Sequence, residues 1–243
     1  MINLKQYNNN DIDIFSLLNN LNDRIDFTDF FYQDKSSWCS GVIPSLNDRC
    51  DMVGSFINLD NKIMFDIGAH CGFFSIMFNK IFEQIYSFEP FNKHFQFLQL
   101  FVSNFHNIYP INSAISINTQ KDALFVDNVN NTQTSLIPHP YSREVLNIDC
   151  IRLDDFSQKY DIQQIDFVKI DIEGFELPLI TDNSFDNISA KIKKIYIECH
   201  NIEDGINDMK MIDVQRLICN KLNILNFKLE IVDDMIFAIN NVC

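Results

Sequence analysis

The chain has 243 residues, 47% of them apolar, enough for one large α/β domain or two small ones. With 19 basic and 33 acidic residues the net charge is −14, which gives no general field for phosphate backbones or for a membrane surface. No stretch approaches the roughly 18 uninterrupted apolar residues of a membrane span.

The N-terminus, MINLKQYNNNDID, has neither the basic start nor the apolar core of a signal peptide, so a cytoplasmic chain is expected. Cys39, Cys50, Cys71, Cys150, Cys199, Cys219 and Cys243 are odd in number, scattered, and without zinc spacing. Free thiols in a reducing compartment are the expectation.

In chain order, residues 1–61 read as a leader and a possible substrate cap. Ile12, Phe15, Leu18 and Leu21 fall at helical spacing, followed by the aromatic stretch DFTDFFYQDKSSW and a loop around residues 41–44. From Lys62 short apolar runs alternate with longer amphipathic segments, the pattern of βαβ units. Strands are predicted at about 63–66, 85–89, 108–112, 166–171 and 194–199, with helices at about 73–82, 92–104, 174–181 and 207–222. The runs at 227–232 and 235–240 are separated only by Asp233-Asp234, so they must pair antiparallel. The expected architecture is α/β, a Rossmann-like, mostly parallel seven-stranded sheet with one antiparallel C-terminal strand, covering 62–243. An insertion at about 119–152 carries two further strand-like runs around a polar loop and would act as a lid or extra sheet.

Four motifs carry chemistry. In MFDIGAHCGFFS a strand runs through Asp66 into a turn with Gly68 and Gly72 and then a helix. Glycines there let the backbone approach a ligand, but the middle of the turn, Ala69-His70-Cys71, lacks the dinucleotide fingerprint. Glu89, followed by Pro90, closes the next strand 23 residues later, where an α/β nucleotide site accepts hydrogen bonds from ribose hydroxyls. It could instead be a helix N-terminal acid.

The third motif is VKIDIEGFE, in which alternation puts Lys169 and Asp171 on one face. A lysine in an apolar strand needs a carboxylate partner, from Asp171, Glu173 or Glu198, in a purely structural pair or in one that keeps an acid ionised. The fourth is YIECH, which places Glu198 and His200 on the same face, beside Asp171 and Glu173 if the strands are neighbours. Such a rim suits a general base, and its acids could also hold a divalent cation, although their spacing is not diagnostic of a metal. His200 could equally be a plain loop residue.

Together these pieces resemble the FkbM family of S-adenosylmethionine-dependent methyltransferases. The matching segments are Asp66 to Gly72, Phe88-Glu89-Pro90, Asn112 to Ser116, Lys169 to Glu176 and the strand ending at Glu198. The family usually carries Asn where this chain has His70. The resemblance implies a class I methyltransferase fold with S-adenosylmethionine as cofactor. It assigns Asp66, Gly68, Ala69, His70 and Gly72 to the methionine and ribose end, Glu89 with Pro90 to the ribose hydroxyls, and Ser113 with Ala114 to the adenine. Asp171 would stand between cofactor and acceptor, and Lys169, Asp171, Glu173, Glu198 and His200 would form the catalytic rim. His200, Asp171 and Glu173 are the candidate bases.

The implied reaction is O-methylation of a sugar, glycan or small-metabolite hydroxyl. N-methylation of a peptide or amide nitrogen, or a silent cofactor-binding scaffold, are the alternatives. A nicotinamide oxidoreductase would need the diphosphate turn that is missing. The sequence leaves the oligomeric state open.

Overall fold

The computed structural model describes residues 49–50, 52–54, 56–57, 62–126, 134–140 and 142–242. The predicted leader helix, the aromatic stretch and the loop at 41–44 lie outside them.

Seven strands form the main sheet: β1 (Ile63–Ile67), β2 (Gln84–Phe88), β3 (Ile108–Ile111), β8 (Phe167–Ile170), β9 (Lys194–Glu198), β10 (Phe227–Val232) and β11 (Met235–Asn240). Their spatial order is β10-β11-β9-β8-β1-β2-β3. All neighbours pair in parallel except β11, which runs antiparallel to both β9 and β10. This is the class I methyltransferase arrangement expected above. The reversed strand lies one place in from the edge, because β10 pairs beyond it.

Strands covered on both faces should read as nearly continuous apolar runs. β8 is buried at every position and β1 at all but its first. Against one face pack α1 (Phe73–Met77) and α2 (Asn92–Val102), with Val53 and Ile57 from the preceding segment. Against the other pack α3 (Leu153–Lys159), α4 (Glu176–Thr181), α5 (Asn183–Ser189) and α6 (Met211–Ile224). The five described cysteines are buried free thiols.

The insertion forms a second sheet of β4 (Ala114–Ile115), β5 (Lys121–Val126), β6 (Thr134–Ser135) and β7 (Glu144–Ile151), in the order β4-β7-β5-β6. Its two long strands are the predicted runs, paired antiparallel in register from Lys121↔Asp149 to Val126↔Glu144. Leu124, Val126, Ile148 and Cys150 face Phe91 and Ala114, so the sheet is fastened to the core by its own apolar cluster.

Two predicted helices differ in extent. α1 ends at Met77, five residues early, because the following carbonyls are captured: Asn107 donates to Asn79 O (2.6 Å) and Phe82 O (2.9 Å). The predicted 174–181 helix is followed by α5, which begins where the Asp182 carboxylate accepts from Ser184 N (2.7 Å), an N-cap.

Candidate functional site

The ends of β1 and β2 are tied by backbone bonds, with Gly68 N and Ala69 N both donating to Phe88 O (3.1 and 2.9 Å). Gly68 has φ +79°, and a Cβ there would stand 1.8 Å from the carbonyl oxygen of Asp171. The turn after β1 therefore abuts the turn after β8 directly, which only glycine permits. Gly72 (φ +82°) starts α1 and would drive a Cβ to 2.4 Å from Leu98 Cδ1. It backs the turn against α2 and does not line the cavity.

Between them His70 takes a left-handed conformation at φ 49°. Its backbone N–H donates to Glu89 Oε2 (2.9 Å), and Phe91 N donates to Glu89 Oε1 (2.8 Å). Glu89 is 3% exposed, and burial pushes its pKa up. Each of its oxygens accepts one bond and keeps a further lone pair. The rings of His70 and His94 lie 4.0 Å apart. Burial holds both near pKa 3, helped by the proximity of His94 in the one case and of Lys93 in the other, so both are neutral.

Asp66 corrects an expectation. It is wholly buried and lies beneath the cavity, accepting from Ser75 Oγ (2.6 Å) and standing 3.4 Å from Lys169 Nζ. A carboxylate inside the strand, one residue before the turn begins, is covered by α1 and meets the lysine of the neighbouring strand. Ser113 is also turned away, because its hydroxyl donates to Asp149 O (2.9 Å) and clips the inserted sheet to β3. Ala114 and Pro90 do line the cavity, along with Gly68, Ala69, His70 and Glu89.

On the facing side Lys169 Nζ donates to Gly68 O (2.7 Å) and lies 3.2 Å from Asp171 Oδ2. Burial alone would lower its pKa, but Asp171 and Asp66 more than offset this and raise it. Burial would likewise raise Asp171, yet Lys169 and His200 hold it below its ordinary value. Glu173, at φ 55°, is pushed to about 8 by burial and by Asp171, Glu176 and Glu198, with His200 opposing. Glu198 rises to about 7 through burial and Asp171, although Arg49 sits 2.5 Å away.

The structure brings Lys169, Asp171, Glu173 and Glu198 to one cavity wall and sets His200 one layer behind. His200 Nδ1 lies 2.9 Å from Glu176 Oε1, and its Nε2 lies 3.8 Å from Asp171 and 3.7 Å from Glu173. Burial would lower its pKa, but the Glu176 bond and these charges raise it to about 10. Both of its ring nitrogens thus look toward acids, an arrangement that favours the charged ring over the free base of the sequence reading. Asp171, Glu173 and His200 bring ligand-type atoms within 4.8 Å of one another. Without a metal these groups form an ion-paired cluster with Lys169 and Glu176.

The cavity joining the two walls has a volume of about 610 Å³, within the range of ligand pockets. Among the lining side chains that the sequence reading did not single out are Arg49, His94, Tyr196 and Leu124. Tyr196 was accessible from the alternation that selected Glu198, whereas Arg49 carries no local signal. Tyr196 is 1% exposed, and its hydroxyl has no hydrogen-bond partner among the described residues.

A mostly parallel sheet with a glycine turn after β1, a buried acid closing β2 and one reversed strand has the Rossmann-like architecture of class I methyltransferases. A model of the methyltransferase FkbM domain matches residues 66–228, and the chain belongs to that family. Among solved structures it is similar to the methyltransferase FkbM of Methylobacillus flagellatus KT, with 19% identity and a TM-score of 0.48 over 74% of this chain and 44% of that one. The chain thus spans less than half the length of that protein. It is also similar to Geobacter metallireducens precorrin-6y C5,15-methyltransferase, with 12% identity and a TM-score of 0.45 over 79% of this chain and 87% of that one. A third similar structure is M. capricolum TrmK in complex with S-adenosyl-homocysteine, with 17% identity and a TM-score of 0.42 over 79% of this chain and 66% of that one. No curated protein shows significant similarity to the chain. Among the described residues no helix is long and apolar enough to cross a membrane.

Proposed function

We propose that the chain transfers a methyl group from S-adenosylmethionine to a hydroxyl oxygen of a sugar, glycan or small metabolite. The observation that carries this reading is one cavity with the buried Glu89 carboxylate at one end and the Glu198 carboxyl, with a pKa near 7, at the other.

The residues fit the cofactor. Glu89 keeps lone pairs for two ribose hydroxyls, and the ionised Asp171 on the facing wall complements a sulfonium charge. When bound, S-adenosylmethionine supplies an electrophilic methyl group. The protein's part is alignment and exclusion of water, for which Phe73, Phe74 and Phe175 line the cavity. Alignment of this kind is worth about 7–11 kcal/mol of barrier.

A hydroxyl acceptor also needs a base whose pKa lies near the working pH, worth about 10²–10⁴-fold. Glu198 has that pKa, opens on the cavity, and is held in place by Arg49. In this reading the hydroxyl proton passes to Glu198. A nitrogen acceptor needs only to be unprotonated, so a poised carboxyl favours oxygen over nitrogen.

The test is the melting temperature with and without S-adenosylhomocysteine, for the parent and for Glu89→Ala. Saturation at about 100 times Kd should stabilise by about 2.7 kcal/mol, a shift of roughly 5–10 °C. The shift should vanish in Glu89→Ala, and no shift in the parent removes the cofactor. Tritiated methyl transfer to a panel of glycan and metabolite hydroxyls then reads the acceptor, and label appearing only on nitrogen overturns the oxygen assignment.

A further inference from the structure

Glu176 closes the most distinctive motif of the chain yet has no part in the mechanism above. It is wholly buried. Its Oε1 accepts from Ile172 N (2.9 Å) and faces His200 Nδ1 (2.9 Å), while its Oε2 accepts from Gly174 N (3.0 Å). One carboxylate therefore closes the turn that carries Glu173 and fixes the plane of the His200 ring.

We propose that Glu176 is a positioning residue that holds His200 as a cation, and that this cation, set behind the cavity wall, orients the Asp171 and Glu173 carboxylates toward the acceptor. The proposal rests on the methyltransferase reading for the reaction it serves.

The geometry requires the charge. A neutral imidazole has one N–H and one lone pair. Here both ring nitrogens face carboxylate oxygens, Glu176 on one side and Asp171 with Glu173 on the other. Either neutral tautomer would turn its lone pair toward one of two carboxylates, Glu176 at 2.9 Å or Asp171 at 3.8 Å, whereas the imidazolium presents an N–H to each. The full set of charges felt at the ring includes Glu198 from its own strand. The opposing cations are already engaged, Lys169 with Asp66 and Asp171, and Arg49 with Glu198. His200 does not line the cavity, so it acts through the two acids.

The test is long-range ¹H–¹⁵N NMR of the imidazole nitrogens in the full chain, cofactor-free and chelator-treated, from about pH 6 to pH 9. The His200 signal is assigned by its loss in His200→Gln. The expected result is a doubly protonated ring through about pH 8, with the midpoint falling by more than about one pH unit in Glu176→Gln. A purely structural Glu176 would lower the melting temperature of that variant and leave the midpoint in place, which overturns the proposal. So does a neutral His200 at pH 7 in the parent. If Glu176→Gln does not fold, Asp171→Asn leaves the turn bonds intact and must also lower the midpoint. The S-adenosylhomocysteine melting shift on the same sample reads the methyltransferase assignment separately. A shift with a neutral His200 sinks only this proposal, and no shift with a charged His200 sinks only the other.

Discussion

Glu89 and Glu198 end neighbouring parts of one cavity, each closing a strand and each nearly buried, yet they are held by different means. Glu89 is fixed by two backbone N–H groups, at His70 and Phe91, so its position is set once the turn after β1 and the start of α2 have formed. Glu198 is held by the half-exposed side chain of Arg49, Asp171 by Lys169 and His200 by Glu176, all of them side-chain contacts. A backbone-held carboxylate can bind a constant partner with little reorganisation. A set of mutually paired side chains can exchange partners when an acceptor arrives, at the cost of raised pKa values. On the proposed reading the first wall suits the invariant ligand and the second the variable one.

The largest expected effect breaks the joint between the two walls. In Gly68→Ala the added Cβ meets a backbone oxygen at 1.8 Å, and the left-handed backbone cannot relax to relieve it. A loss of more than about 4 kcal/mol in urea unfolding is expected. A loss below about 1 kcal/mol would mean that the turns after β1 and β8 are separable, and the comparison would lose its physical basis.

The same contrast explains what could be read beforehand. The βαβ alternation, the two motif acids at the ends of β1 and β2 and the terminal hairpin are local patterns, and the seven main strands formed close to where the sequence placed them. What escaped is set by contacts across the chain. Asp66 reads as a site acid because it precedes a glycine turn, but the lysine that claims it is about a hundred residues away. Arg49 reaches Glu198 across 149 positions, and no local pattern marks it. His200 looked like a base because a histidine ordinarily titrates near neutrality, whereas the Glu176 carboxylate behind it comes from a different element. The helix α3 was passed over because its short run follows a strand without a break, although Asp154 and Asp155 mark its first turn.

A middle-sized effect sharpens the account of the backbone-held wall. His70 is neutral in the fold, with a pKa near 3 against about 6.5 when unfolded. Between those values the unfolded chain binds more protons, so stability is full above about pH 6.5 and drains as the pH falls toward 3. At pH 5 the loss due to His70 is about 2 kcal/mol. Asn does not ionise and tolerates the left-handed region better than most residues. His70→Asn should therefore match or exceed the parent at pH 7.5 and gain about 2 kcal/mol over it at pH 5. His94, neutral through the same burial, adds to the acid loss, as do carboxylates held below their ordinary range such as Asp171 and Asp166. Equal acid sensitivity in the two chains would show that the first wall is not built around a neutral His70.

The smallest effect on stability is the most informative about the second wall. Tyr196 packs on Phe74 and Phe237, with ring centroids at 6.3 and 5.3 Å, and its ring is part of the core. Its hydroxyl is buried beside Asp171, Glu198 and Arg49 without a partner among the described residues, a state that costs about 1–3 kcal/mol. Tyr196→Phe keeps the ring contacts and removes that cost. The variant should melt at the parent's temperature or be stabilised by up to about 1 kcal/mol. On the proposed reading S-adenosylhomocysteine affinity, set at the Glu89 wall, should not change, while methyl transfer should slow, because an acceptor oxygen could use this donor. A destabilised variant with normal transfer would make Tyr196 an ordinary core residue and leave Glu198 and Arg49 to meet the acceptor alone. A stable variant with weakened S-adenosylhomocysteine binding would move the boundary between the two walls, extending the cofactor's reach from β2 across to β9.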